Sequence, residues 1–230
     1  MDRISILREF VNPTKKIGDL HSDGLDYIVA HLTSGVIPSN DELIQIVKDW
    51  IETSEFSGLT NFSLDYVVLA STKSLYLNKL SPVGLDCRDE ISRFSEKYMK
   101  VSLLENKESW EIPNKINGGI DYLEYRIINS ELSVEESFIL LASVRVLKSS
   151  YQYWTNVWSS PSHPWKTYWT SVGFDLPKMS KFWDNVLHAD ALGAAIGAAI
   201  GSVVPVAGTA GGAAGGALIL SVAASFSDLE

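Results

Sequence analysis

Hydrophobic side chains recur at three- and four-residue spacing through most of the first 185 residues, which is the pattern of helices that bury one face. The first such segment follows Asn12-Pro13, which we expect to break the helix, and its apolar positions run from Ile17 to Leu32. A second helix is predicted from about 40 to 53. Short connections between the predicted helices favour antiparallel neighbours around one core.

Capping signals mark where two of these helices begin. Ser39 with Glu42, and Ser133 with Glu136, have the spacing of a capping box, in which each side chain pairs with the backbone N–H of the other residue. The helix that begins after Ser133 is predicted to extend to about Trp158.

Prolines and glycines indicate the remaining boundaries. The apolar run over 64–80 fits a helix, and Pro82 can open the next one. Pro113 and the pair Gly118-Gly119 predict a looser stretch followed by a short helix. Because no period-two alternation with tight turns occurs, the sequence predicts an all-α bundle of about six helices.

Charge and cysteine content exclude several classes of function. Lys and Arg together number 19 against 28 Asp and Glu, which gives a net charge of −9 without a basic cluster suited to nucleic acid. Cys87 is the one cysteine, so neither an intrachain disulfide nor a thiolate metal cluster can form. The N-terminus lacks the apolar segment of an ordinary signal peptide, so we expect cytoplasmic synthesis, with any export by a non-classical route.

Residues 186–230, which we call the glycine tail, follow a different pattern. Half of the 16 glycines lie between Gly193 and Gly216, and residues 191–227 carry no charged side chain. Six glycines stand at four-residue spacing in two triplets, one on each side of Pro205: Gly193, Gly197, Gly201, Gly208, Gly212 and Gly216. On a helix this spacing forms a groove that lets two backbones approach closely, as in helix pairs within membranes.

The glycine tail has the length of a helical hairpin that reaches across a bilayer. Its arms, 186–204 and 206–226, each approach the roughly 20 residues needed, and Pro205 lies where the chain would turn. Alanine and glycine dominate both arms and contribute little transfer energy, so permanent spontaneous insertion is marginal. We therefore expect conditional insertion or oligomeric assembly, with a hairpin packed inside a soluble bundle as the alternative.

Aromatic residues concentrate just before the tail, with lysines between them. Indole rings collect at membrane surfaces because the ring prefers an apolar environment while its N–H prefers water. Five tryptophans are therefore candidates for an interfacial role: Trp154, Trp158, Trp165, Trp169 and Trp183. The alternative is that these rings cap the helical core.

One polar cluster near the N-terminus is a candidate for chemistry. Asp19, His21 and Asp23 have side chains that bind metals or exchange protons. Alternate positions on a helix lie about 200° apart, however, so these side chains would diverge. Helix capping and a buried, hydrogen-bonded histidine explain them better. Since motifs for nucleophilic, phosphate-binding or metalloprotease sites are also missing from the sequence, we expect no enzymatic activity, metal or cofactor.

Two stretches together resemble a group of proteins. GDLHSDGLDYIVAHL, which begins at Gly18, resembles the G-x-L-H-N-x-G-L-D-Y-I opening of small, poorly characterised helical proteins from Bacteroidota, with Ser22 in place of asparagine. Many of those proteins end in an Ala-Asp-x-x-Gly-Ala element, here residues 189–194, followed by a glycine zipper. The tail is also similar to glycine-zipper segments of class II bacteriocins and, more distantly, to the hydrophobic hairpin of colicins. The resemblance implies membrane activity and supplies no catalytic residue.

These observations predict a helical bundle domain over 1–185 and a glycine-zipper hydrophobic hairpin over 186–230. The predicted function is that of a membrane-associated protein, bacteriocin-like or pore-forming, whose hairpin inserts and self-associates in a lipid bilayer. The expected partners are the bilayer and further copies of the chain. The alternative is a soluble all-helical interaction or structural module in which the hairpin is packed internally.

Overall fold

A computed structural model describes the chain in several stretches. They are 3–53, 80–95, 111–174, 186–187, 189–195, 197, 213–218, 220–221 and 224, with side chains left undescribed for 3–15 and 111–115. Six helices have both ends within these stretches: α1 Arg3–His31, α2 Asn40–Thr53, α3 Pro82–Phe94, α4 Glu111–Asn129, α5 Val134–Ser159 and α6 Pro164–Ser171. The described residues of the tail are helical too, and none of the described residues forms a strand. The fold is all-α, which confirms the predicted class.

The predicted caps are confirmed. The Glu42 backbone N–H donates to Ser39 Oγ at 3.3 Å, and the Ser39 N–H donates to the Glu42 carboxylate at 2.7 Å. Glu136 and Ser133 exchange the equivalent bonds at 3.1 and 2.9 Å at the start of α5. Pro82 occupies the first turn of α3 as expected.

Two predicted interruptions are wrong. α1 continues through Asn12-Pro13, because a proline removes one helical hydrogen bond without forcing the remaining backbone out of the helix. α4 likewise runs through Pro113 and both following glycines. Pro113 lies in its first turn, where backbone N–H groups have no helical partner anyway. A side chain at Gly119 would collide with the Phe94 ring of α3, so glycine permits this close helix contact.

The predicted helix over 64–80 lies outside the described residues, apart from Leu80. Leu80 is buried and is not helical, and it directly precedes the N-cap residue of α3, Ser81.

The helices α1–α6 form a bundle that we call the body. α5 lies at its centre and packs against α1, α3, α4 and α6. Its most extensive helix contact, with α1, uses small residues. The Ser149 hydroxyl donates to the Gly18 carbonyl at 2.6 Å and lies 2.8 Å from the Ser22 hydroxyl. A Cβ at Gly18 would stand 2.9 Å from the Ser149 Cβ, so the missing side chain allows the two backbones to approach.

Described residues of the tail belong to the same hydrophobic core as α1 and α5. Eight of their hydrophobic side chains are at most 1% exposed: Val186, Leu187, Ala194, Ala195, Ala213, Ala214, Ala217 and Leu218. In this structure the body packs around both arms of the tail.

Glu136 makes the stability of the fold depend on pH, because it joins the starts of two helices. Besides Ser133, its carboxylate accepts the Ser81 N–H, which precedes α3, at 2.6 Å. Burial alone would raise the pKa of this carboxyl, but the hydrogen bonds from Ser81 and Ser133 outweigh burial and lower the pKa of Glu136 to about 2. The contribution of Glu136 to the free energy of unfolding is therefore complete above pH 4.5, the pKa of the group in the unfolded chain, and is lost as the pH falls through about 2.

We expect Glu136→Gln to lower the free energy of unfolding at neutral pH by on the order of 2–3 kcal/mol, because a charge-assisted bond to each helix start is weakened. The variant should also lose less stability than the wild type between pH 4.5 and about 2. Urea unfolding across this pH range measures both effects. Glu135→Gln removes the neighbouring exposed carboxylate and is the matched control. Parallel pH profiles for Glu136→Gln and the wild type would contradict the assignment.

Candidate functional site

A carboxylate of the tail is completely buried among side chains of the body. Asp190 is 0% exposed, and its Oδ2 accepts hydrogen bonds from the Ser150 hydroxyl and, at 3.4 Å, from the Trp154 indole Nε1. The other oxygen, Oδ1, lies 3.5 Å from Nε2 of His21, which is also 0% exposed. We call these four residues the Asp190 cluster.

Helix geometry explains why three body residues converge on this carboxylate. Ser150 and Trp154 are four residues apart on α5, so they lie on one face of that helix. His21 comes from α1, one turn beyond Gly18, where α1 crosses α5 closely. The cluster therefore joins α1, α5 and the start of the tail.

The electrostatics of the cluster favour holding the tail in place. An ionised carboxylate away from water is costly unless hydrogen bonds and an opposite charge replace its hydration. Ser150 and Trp154 supply donors for one oxygen, and the imidazole faces the other. Among the described residues, neither His21 nitrogen has a hydrogen-bond partner, so the imidazole approaches Asp190 without satisfying it fully.

The order of groups differs from that of a serine hydrolase. In a catalytic triad the histidine lies between serine and carboxylate and removes the proton of the serine. Here the Ser150 hydroxyl donates to Asp190, and His21 lies on the other carboxylate oxygen. All three side chains are also inaccessible to solvent. The arrangement suits structural attachment, and it lacks the contact that would activate a serine.

The structure separates the three residues singled out near the N-terminus. His21 is buried, whereas Asp19 and Asp23 are exposed on α1. The pKa of Asp23 is raised, first by partial burial of its carboxyl group and then by the negative charges of Asp26 and Asp19. Within the described part of the chain, no group of three or more metal-binding side chains is placed to hold an ion.

Two further contacts connect the body to the tail. The Ser143 hydroxyl of α5 donates to the backbone carbonyl of Ala191 at 2.8 Å. Gly24 of α1 lies under Leu218 of the second arm, and a Cβ at Gly24 would stand 3.1 Å from the Leu218 Cγ. The residues that carry the resemblance at the front of the chain thus contact the tail at two points, through His21 and Gly24.

The described zipper glycines pack against each other across the two arms. A Cβ at Gly216 would lie 3.1 Å from the Gly197 Cα and would overlap the Gly193 carbonyl. A Cβ at Gly193 would lie 2.8 Å from the Ala217 Cα. Backbone thus touches backbone within one molecule. The remaining predicted zipper positions lie outside the described residues: Gly201, Gly208 and Gly212.

Three of the predicted interfacial tryptophans form a buried triangle. Trp154, Trp165 and Trp169 are at most 1% exposed, with ring centroids 5.6, 5.6 and 5.9 Å apart. In this conformation their rings lie in the core, as in the alternative prediction, and an interfacial role would require the cluster to open. Trp158 is partly exposed, with the Lys166 Nζ 5.1 Å above its ring. Trp183 lies outside the described residues.

A second polar network borders the triangle. The Tyr153 hydroxyl donates to Asp26 at 2.6 Å and accepts the Trp165 indole N–H at 3.0 Å. Burial, with the bond to Asp26, raises the pKa of Tyr153. This network ties α1, α5 and α6 together beside the Asp190 cluster.

Sequence reasoning missed the polar partners of the tail. A signal was present, because Ser143 and Ser150 stand seven residues apart, on the apolar side of the helix. Buried serines at that spacing indicate a face that receives hydrogen-bonding groups from another element.

No family model matches the chain, no curated protein matches it, and no solved structure matches it. The resemblance to the Bacteroidota group therefore stays a prediction. Among the described residues, no helix is long and apolar enough to cross a membrane.

The contact between the two arms can be tested by adding a methyl group. We expect Gly193→Ala and Gly216→Ala each to lower the free energy of unfolding by about 1–3 kcal/mol, because the new Cβ meets backbone that cannot move independently. Gly118→Ala is the control, since nothing lies within 4 Å of its Cβ and alanine there should add about 0.5–1 kcal/mol. Urea unfolding measures all three. Equal stability of the Gly216 and Gly118 variants would contradict the packing.

Proposed function

We propose that this chain is a membrane-active protein that stores its hydrophobic hairpin inside a helical body and releases it into a bilayer. The observation that carries the proposal is the composition of the stored element. A long uncharged segment, 191–227, begins directly after a carboxylate that the body holds in place. Its described residues are packed in the core.

Small side chains lower the free energy needed to release the tail from the body. Burial contributes about 0.8 kcal/mol for each CH₂ group, so a buried alanine adds far less docking energy than a buried leucine. Five of the eight hydrophobic tail side chains named above as fully buried are alanines, and the other three are Val186, Leu187 and Leu218. Much of the described contact between body and tail is therefore made by small side chains, which add less docking energy than leucines at the same positions would.

Glycine contacts support insertion of the two arms as a unit. Gly193 and Gly216 face each other across the arms, so this pairing does not depend on the body. Helix pairs of this kind are stable in lipid, where close backbone packing replaces the hydrophobic effect. In a bilayer the outward-facing alanines and Leu218 would exchange body side chains for lipid chains. Further glycine faces would then be available for self-association.

A soluble interaction module is the second candidate function. The near-complete burial of Ala194, Ala213 and Leu218 favours it, because a permanent core element would be buried in the same way. The two proposals differ in whether the tail leaves the body.

A reversible cross-link between body and tail distinguishes the two functions. The test protein carries Gly24→Cys and Leu218→Cys, with Cys87 replaced by alanine. A Cβ built at residue 24 would lie 3.1 Å from the Cγ of Leu218, so the two introduced thiols lie on opposite sides of this contact. We expect the reduced protein to float with phosphatidylcholine vesicles and to release an enclosed dye. The oxidised protein should do neither. Neutral lipid is chosen because the net charge of −9 would repel anionic vesicles.

A second cross-link controls for the disulfide itself. Ser22→Cys and Ser149→Cys, in the same Cys87→Ala background, join α1 to α5 within the body, where the two hydroxyls are 2.8 Å apart. This oxidised variant should retain dye release. Release that is equal in both oxidation states of the tail cross-link would contradict the proposal. Absence of flotation below the unfolding temperature would favour the soluble module.

A further inference from the structure

We infer that the Asp190 cluster is an autoinhibitory latch, in which three body side chains hold one tail carboxylate and thereby keep the whole tail docked. This inference rests on the proposed function, since it names how that release is restrained. Asp190 is the last charged residue before the uncharged stretch 191–227. It is therefore the group through which electrostatics can act on this part of the tail.

The strength of the latch follows from the kind of bonds that it uses. Hydrogen bonds to a charged group contribute about twice as much as neutral ones. Ser150 donates such a bond to Asp190, whereas Ser143 donates a neutral bond to the neighbouring Ala191 carbonyl. Removing one partner of a buried ionic group also leaves the other without compensation. The Asp190 contacts should therefore dominate docking at this end of the tail.

The position of the latch also suits release. Once the tail leaves the body, a carboxylate at the beginning of the hydrophobic stretch can remain at the membrane surface among water and headgroups. The same charge that binds the tail to His21 and Ser150 therefore does not have to enter the bilayer core. Docked and inserted states each provide Asp190 with polar surroundings.

A matched pair of serine variants tests the latch in the intact protein without lipid. Hydrogen exchange is measured for amides of residues 189–195 and 213–218 and for amides of α5. We expect Ser150→Ala to accelerate exchange in the tail by about tenfold or more and to leave most of α5 protected. Ser143→Ala removes the same group from the same helix and should change tail exchange by less than about fivefold.

Two variants of the facing carboxylate and imidazole extend the test. Asp190→Asn keeps the shape of the side chain and removes its charge, and His21→Leu removes the facing imidazole. Each should accelerate tail exchange as Ser150→Ala does. In the double variant that carries both substitutions, the acceleration should be less than the product of the two single accelerations, because both substitutions act through one contact. Equal acceleration throughout α5 and the tail would show a general loss of stability and would overturn the latch. Unchanged tail exchange in both variants would overturn it as well.

Vesicle flotation of the same variants separates the latch from the proposed function. Ser150→Ala and Asp190→Asn should bind phosphatidylcholine vesicles at about tenfold lower lipid concentration than the wild type, while Ser143→Ala should shift that concentration by less than about fivefold. Faster tail exchange without any vesicle binding would support the latch and refute membrane activity. Vesicle binding by the wild type that these variants leave unchanged, together with unchanged exchange, would support membrane activity and refute the latch.

Discussion

A carboxylate can be buried in a helical core only where other groups replace the water it loses. At Asp190 two hydrogen bonds do so for Oδ2, while Oδ1 faces the His21 imidazole without a hydrogen bond among the described residues. Its three partners come from two helices that are distant in sequence, α1 and α5. The small residues at Gly18 and Ser149 bring those helices close enough for the partners to converge. The placement of the tail depends on this convergence, because it fixes a carboxylate of the tail, whereas the other described contacts between body and tail are a neutral hydrogen bond at Ala191 and apolar packing, as at Leu218.

The tail combines strong specificity with modest attachment. Specificity comes from backbone contacts at Gly193 and Gly216, where a single methyl group would not fit, and from the defined position of one carboxylate. Attachment through the alanines is modest because alanine buries little apolar surface. The tail is thus held in one register by close contacts, while its alanines add less burial energy per residue than leucines would.

Local features of this fold are predictable from the sequence, and distant pairings are not. The caps at Ser39 and Ser133 follow from residues three positions apart, so a short motif determines them. Continuation of α1 through Pro13 was not predictable, because a proline within a helical pattern either ends the helix or removes one hydrogen bond from a continuing one, and the local sequence does not decide between the two. The glycine spacing predicted a close helix contact, but whether that contact forms in lipid or in protein is decided by the rest of the chain. His21 was recognised as a buried histidine, while its partner Asp190 could not be found, because the pairing spans most of the sequence.

The tryptophan triangle gives the protein an optical property of its own. Indoles whose centroids are 5.6–5.9 Å apart in fixed orientations couple their electronic transitions, and the fixed asymmetric environment of each ring makes these transitions active in circular dichroism. Trp154 belongs both to this triangle and, through its N–H, to the carboxylate of the tail. Movement of the tail would therefore alter the chiral environment of the coupled rings, so the native chain carries a built-in spectroscopic reporter that requires no attached dye.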